Sequence, residues 1–236
     1  MIELPLENQA VRDLPGIGRV YGFAGDALIW QRGATRWVLI ADGPCAVQAP
    51  QGQFVLAAGM FAVLPDCGQL SGGRGLLIET AETLGVFQIG GPPEQLGRLR
   101  YIDGCTDSLL VCPPRLGLPC LNHLHLPSHT RQSHHSHPSD RVGIIARGRG
   151  RACMDDHRIE LHAGMGWWIP ARTAHHFETD GDTLDVLAWH PDSDFGPTDQ
   201  AHPMVNRTLL SAQGPRSEPP TGAQPLGACR SIPTRS

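Results

Sequence analysis

The chain has 236 residues, a formal net charge of −4 and a pI near 6.3, enough length for one large or two small domains. That balance excludes the basic excess a nucleic-acid surface needs, and all 19 positive charges are arginine. No apolar run approaches the roughly 20 residues of a membrane helix. The segment MIELPLENQAVRDLPG has acidic residues and no apolar core, so it does not read as a secretion signal. Seven cysteines, an odd number without CxxC spacing, point to reduced thiols and a cytoplasmic protein.

Taken in chain order, the apolar segments read as short strands bounded by turn residues. The first half offers RWVLIADG, GLLIET and TLGVFQIG. The second offers PCLNHLHLP, DRVGIIARG, RACMDD, GWWIP and TLDVLAWH. No amphipathic helix of 12 residues or more is expected, and 28 glycines and 21 prolines punctuate the runs, as in all-β chains. The two glycines of ARGRGRAC are expected in a hairpin turn. Residues 211–236 are Pro/Ser/Gly-rich without apolar periodicity and read as a disordered tail.

An internal repeat organises the rest. At a fixed offset of 105, residues 35–70 match residues 140–175 at nine of 36 positions, where chance pairing gives about two or three. The matches are Arg36/Arg141, Ile40/Ile145, Ala41/Ala146, Gly43/Gly148, Leu56/Leu161, Ala58/Ala163, Gly59/Gly164, Met60/Met165 and Pro65/Pro170. They fall on residues that close turns and end strands. The expected division is residues 1–100 and 101–210 as two copies of one domain, followed by the tail.

Twelve histidines are unevenly spread, with seven between positions 123 and 157 and a pair at His175 and His176. His135 and His137 lie two apart on an extended segment and so share one face. GMGWWIPARTAHHF brings His175 in just after a strand ending at Pro170. Three neutral imidazoles with open positions suit Fe(II), Mn, Ni, Cu or Zn. His134 and His176 are expected to face away from them. His123 and His125 share a strand face of undecided direction, and His157 and His190 read as turn or surface residues.

These residues resemble the cupin superfamily. Its first motif, G-x5-H-x-H-x3-E-x6-G, is met by His135, His137 and Gly148, with His129 in place of the leading glycine and Arg141 in place of the glutamate. Its second, G-x5-P-x4-H, is met by Gly164, Pro170 and His175. The resemblance implies two tandem double-stranded β-helix (jelly-roll) barrels. The second would hold metal, and the first would be metal-free, because Trp30, Arg32 and Leu70 stand at the offset positions of the ligands. It further implies a homodimer and an Fe(II)-dependent dioxygenase, with O2 and a small carboxylate substrate as partners. Arginine cannot ligate, so Arg141 either balances the carboxylate or pairs with Asp140, Asp185 or Glu160. Asp140 is a candidate fourth ligand, and Gln132 a candidate for orienting a bound ligand. Zn, Mn, Ni or Cu on the same histidines would instead serve a lyase, isomerase, hydrolase or non-catalytic binding protein. The tyrosines are Tyr21 and Tyr101 alone, so no phenolic base is expected in the metal barrel.

Overall fold

The computed structural model describes residues 1–192, apart from 8–10, 16–17, 82–85 and 116; the expected tail lies outside them. The first half carries β1 (Ile2–Leu4), β2 (Val11–Leu14), β3 (Gly18–Ala24), β4 (Leu28–Trp30), β5 (Thr35–Asp42), β6 (Cys45–Ala49), β7 (Gly52–Leu56), β8 (Phe61–Leu64), β9 (Gly68–Ser71), β10 (Arg74–Thr80), β11 (Gln88–Gly90) and β12 (Leu99–Arg100). The second carries β13 (Thr106–Val111), β14 (Cys120–Leu126), β15 (Arg141–Cys153), β16 (Arg158–His162), β17 (Gly166–Ile169), β18 (His176–Glu178) and β19 (Leu184–His190). Among the described residues the only helical piece is a 3-10 turn at Ile102–Gly104. The fold is an all-β jelly roll.

In the first half a six-stranded sheet, β11-β8-β5-β10-β3-β2, faces a four-stranded one, β4-β9-β6-β7. The second half is built on β1-β17-β15-β19-β14-β13-β12, with β16 and β18 pairing the far end of β15. The N-terminal strand β1 thus joins the second half's sheet, through Ile2 opposite Trp168.

RWVLIADG and its counterparts are apolar throughout because both of their faces are covered. Val38 and Ile40 of β5 enter the first half's interior, while Trp37 and Leu39 enter a second cluster. That cluster also takes Val142 and Ile144 of β15, and Leu187 and Trp189 of β19. Ile145 and Val186 turn into the second half's interior instead. One core therefore spans both halves. Each fully buried side chain of this size contributes about 1.5–3 kcal/mol.

The repeat survives as register. Arg36 faces Leu64 and Val38 faces Ala62; 105 residues on, Arg141 faces Ile169 and Gly143 faces Trp167. Cys45–Leu56 and Gln48–Gln53 likewise become Gly150–Leu161 and Cys153–Arg158. The Gly-Met turn repeats its hydrogen bonds, Gly59 and Gly164 N–H donating to Ile40 and Ile145 carbonyls at 2.8 and 2.9 Å.

The expected hairpin at ARGRGRAC is absent. DRVGIIARG and RACMDD form one strand, β15. Gly148 sits within it at φ +81, where an added Cβ would lie 1.8 Å from the Thr183 carbonyl oxygen. A side chain fits there in neither conformation nor space, and the bend carries the strand from one sheet to the other. Gly43, its counterpart, likewise lies between β5 and β6, which belong to different sheets.

Candidate metal centre

The two histidine segments meet through an isolated antiparallel bridge, His135 opposite His175. Each of these residues donates its backbone N–H to the other's carbonyl, at 2.9 and 2.8 Å. Beyond it, Arg172 N–H donates to the His137 carbonyl at 2.7 Å. These bonds fix three imidazoles at one spot. Ring centroids stand 5.1 Å apart for His135 and His137, 4.7 Å for His135 and His175, and 5.3 Å for His137 and His175. One nitrogen from each ring lies within 4.8 Å of the other two.

Backbone carbonyls set the ring tautomers. His135 Nδ1 bonds the Ser133 carbonyl at 2.7 Å, and His175 Nδ1 bonds the Thr173 carbonyl at 2.8 Å. A carbonyl only accepts, so Nδ1 carries the hydrogen in both rings and Nε2 keeps its lone pair. The support extends outward, since Asp103 of the 3-10 turn accepts from both the backbone N–H and the hydroxyl of Ser133. Outer bonds of this kind orient metal-ligating histidines.

Both inner rings are held neutral. Burial pushes His137 down to about 3, helped by the Arg141 charge and then by His175 and His135. Burial takes His175 to about 4, against the supporting bond from Thr173. Three converging imidazoles, with no carboxylate joining them among the described residues, form a donor set that fits a divalent transition ion.

Arg141 stands close enough for its charge to act on His137. Its guanidinium donates to the Ser139 carbonyl and hydroxyl and to the Asp140 carbonyl, with Asp192 at 3.8 Å. The expected partner Asp185 pairs with Arg147 instead, at 3.0 Å. Arg36, the counterpart in the first half, likewise donates from Nη1 to the carbonyl two residues back, Ala34 at 3.0 Å, but its Nε and Nη2 both donate to Glu79 at 3.1 and 2.8 Å. Glu79 faces Arg36 across β10 and β5; the corresponding place on β19 belongs to His190. The two arginines thus share one local backbone bond and differ in their carboxylate partner.

Gln132 is buried at 3% exposure. Its amide nitrogen donates to Cys105 Sγ at 3.4 Å, and its oxygen accepts from Phe177 N–H at 3.2 Å. Both ends of the amide are therefore engaged in the barrel wall. The Asp140 carboxylate accepts from the Ala171 backbone N–H at 2.6 Å, which ties it to the turn before His175.

Other histidines differ from expectation. His123 and His125 turn outward from the second barrel yet are buried, at 0% and 4% exposure. Both meet Asp185, at 2.7 and 3.0 Å. Burial raises the Asp185 carboxyl, but bonds from His123, Arg147 and His125 outweigh it and hold the group at about 2. Arg147 also donates to the Pro93 and Glu94 carbonyls, clamping the segment between the halves onto β14 and β19. His190 is buried rather than on the surface, 3.0 Å from the Asn122 side-chain oxygen. Tyr101, set aside on sequence grounds, lies within electrostatic reach of Arg141, although burial still raises its phenol.

In the first half the counterpart of His135 is Trp30, which faces Gly68. The register of β6 with β9 and of β15 with β18 pairs Leu70 with Phe177 and Gly68 with His175, correcting the expected match of Leu70 to His175. A Cβ on Gly68 would come 2.8 Å from the Trp30 ring. Arg32 is exposed and paired with Asp66 at 2.8 Å.

Comparison with known proteins agrees with this architecture. A search of the curated proteins finds no match. The structure is similar to a cupin 2 conserved barrel domain protein from Leptotrichia buccalis, at 15% identity and TM-score 0.55, over 79% of this chain and 91% of that one. A glyoxylate-induced protein from Pseudomonas aeruginosa, described as putative, gives 12%, 0.57, 80% and 87%. Salicylate 1,2-dioxygenase from Pseudoaminobacter salicylatoxidans, solved with gentisate, gives 9%, 0.54, 74% and 67%. The cupin-domain family model matches residues 122–190, the stretch that runs from β14 to β19 and contains both histidine segments. Domain match and structural likeness agree: residues 122–190 form a cupin domain, and the chain has a cupin-type fold.

Proposed function

We propose that this chain is a metal-dependent oxygenase acting on a small organic acid, with Fe(II) held by Nε2 of His135, His137 and His175. The observation that carries the reading is the convergence of three imidazoles beside an arginine, with no carboxylate among the converging donors of the described residues. Such a site keeps the ion's full double positive charge and adds a guanidinium, so it favours an anion. When bound, iron supplies one-electron exchange with dioxygen and Lewis acidity. Arg141, anchored on Ser139, orients the substrate carboxylate by charge and hydrogen bonding. Ser133 and Thr173 hold the rings against rotation, so little reorganisation accompanies substrate entry.

The first half is read as a metal-free copy of the barrel whose role is packing, since Trp30 fills the space a ligand at position 68 would need. A homodimer in the cytoplasm is the proposed setting. A second reading keeps the donors and exchanges the metal, because the same histidines hold Zn or Mn for a Lewis-acid lyase, isomerase or hydrolase. Metal analysis of anaerobically purified protein, with O2 uptake on adding gentisate, salicylate and other small acids, separates the two. Bound iron and O2 consumed in proportion to one added acid is the expected result. Tightly bound zinc with no uptake would overturn the oxygenase reading.

A further inference from the structure

The outward face of the second barrel carries another convergence of ligand groups. Cys153 at the end of β15 is in register with His176 of β18, and Glu178 follows two residues later on the same face. Their ligand atoms lie within 4.8 Å of one another, with His176 Nε2 and Glu178 Oε1 at 3.2 Å. Cys153 is buried and the other two are nearly so, at 12% and 11% side-chain exposure. His176 follows His175 in the chain and its side chain points to the opposite side, so this cluster stands behind the three-imidazole site and shares no residue with it.

The cluster continues into a row of polar side chains. Asp155, His134, His176 and Glu178 form a row with three contacts. They are Asp155 to His134 Nε2 at 3.0 Å, His134 Nδ1 to His176 Nδ1 at 3.0 Å, and His176 Nε2 to Glu178 at 3.2 Å. With an ion on His176 Nε2 beside the thiol, His176 Nδ1–H donates to His134 and His134 Nε2–H donates to Asp155, so each ring adopts one tautomer. Carboxylate–histidine chains of this kind stand behind ligating imidazoles. Arg131 and Arg151, at 3.1 and 3.6 Å from Glu178, orient the carboxylate from outside.

The first half shows that the fold does not demand these residues. By register, Gln48, Gln69 and Ser71 occupy the places of Cys153, His176 and Glu178. There two neutral amides close the face, Gln69 donating to Gln48 at 2.9 Å.

We propose that Cys153, His176 and Glu178 hold a second divalent transition ion, a thiophilic one such as Zn(II), with water in the remaining position. Thiolate, imidazole and carboxylate together suit a tetrahedral zinc-type site. Titrating the reduced, metal-free full chain with Co(II) tests it, because only a thiolate ligand gives a sulfur-to-cobalt charge-transfer band in the near ultraviolet. The expected result is two equivalents bound per chain, with that band arising from one of them. It persists in His137→Ala, which lacks the three-imidazole set, and disappears in Cys153→Ser. No band in the unaltered protein, or a band that survives Cys153→Ser, would overturn the proposal; the latter result would assign the band to another thiol. Should Cys153→Ser fail to fold by circular dichroism, Glu178→Gln decides. Its band-forming Co(II) affinity should fall about tenfold or more, and an unchanged affinity would overturn the proposal. Simple protonation of the histidine row gives neither the second equivalent nor the band.

Discussion

At the scale of single residues, the histidines divide by what their Nδ1 atoms touch. In His135 and His175 a backbone carbonyl takes that hydrogen, leaving Nε2 as the ligand atom. His137 sits beside Arg141 and is only partly buried, so its loss leaves no large cavity. His137→Ala is expected to remove one equivalent of bound metal per chain while shifting the melting temperature by no more than a few degrees. Inductively coupled plasma analysis and a thermal melt check both halves of that statement, and a variant that unfolds would contradict it. Arg141 has a different task in this account. Arg141→Met should weaken binding of carboxylate probes to the metal-loaded protein by about tenfold to a hundredfold, the range of a charge-assisted hydrogen bond. Neutral probes of the same shape should bind as before, and calorimetry reads the contrast.

The strands and the segments joining them carry their own tests. Gly148 is the bend in β15, and its φ of +81 and the 1.8 Å approach to the Thr183 oxygen leave no room for a methyl group. Gly148→Ala should cost about 3 kcal/mol or more in urea unfolding, and a neutral result would mean the bend lies elsewhere. The clamp on Asp185 predicts a pH dependence. Its carboxyl is held at about 2, below the ordinary value of 3.8, so its ionised form is favoured in the folded chain. That contribution is fully present above about pH 4 and is lost as pH falls through about 2. Asp185→Asn should destabilise the protein by about 3–5 kcal/mol at neutral pH, as breaking a buried charged group does. The gap between variant and wild type should narrow as the pH approaches 2.

At the scale of the whole molecule, the two halves share one apolar core, with Trp37 meeting Trp189 edge to face at 6.2 Å. Trp37→Ala should therefore cost about 3–5 kcal/mol, and unfolding should remain a single transition by near- and far-ultraviolet circular dichroism. Much of this architecture was legible in the chain. The offset of 105 between residues 35–65 and their counterparts is the register itself, because sheet pairing and turn glycines constrain every residue there. Past Pro65 the halves differ in loop length, so a gapless comparison placed Leu70 where Gly68 belongs. The burial of His123, His125 and His190 was not legible, since it depends on neighbours distant in sequence. Nor did the glycines at 148 and 150 announce a continuous bent strand, because the same residues serve hairpins. The convergence of His135, His137 and His175 was legible because a period of two and a strand-ending proline leave the rings little freedom. An anomalous-scattering map from crystals of the iron-loaded protein tests that convergence most directly. It should show an iron peak about 2.0–2.2 Å from Nε2 of all three rings; crystals of iron-containing protein with no peak among those rings would contradict the account.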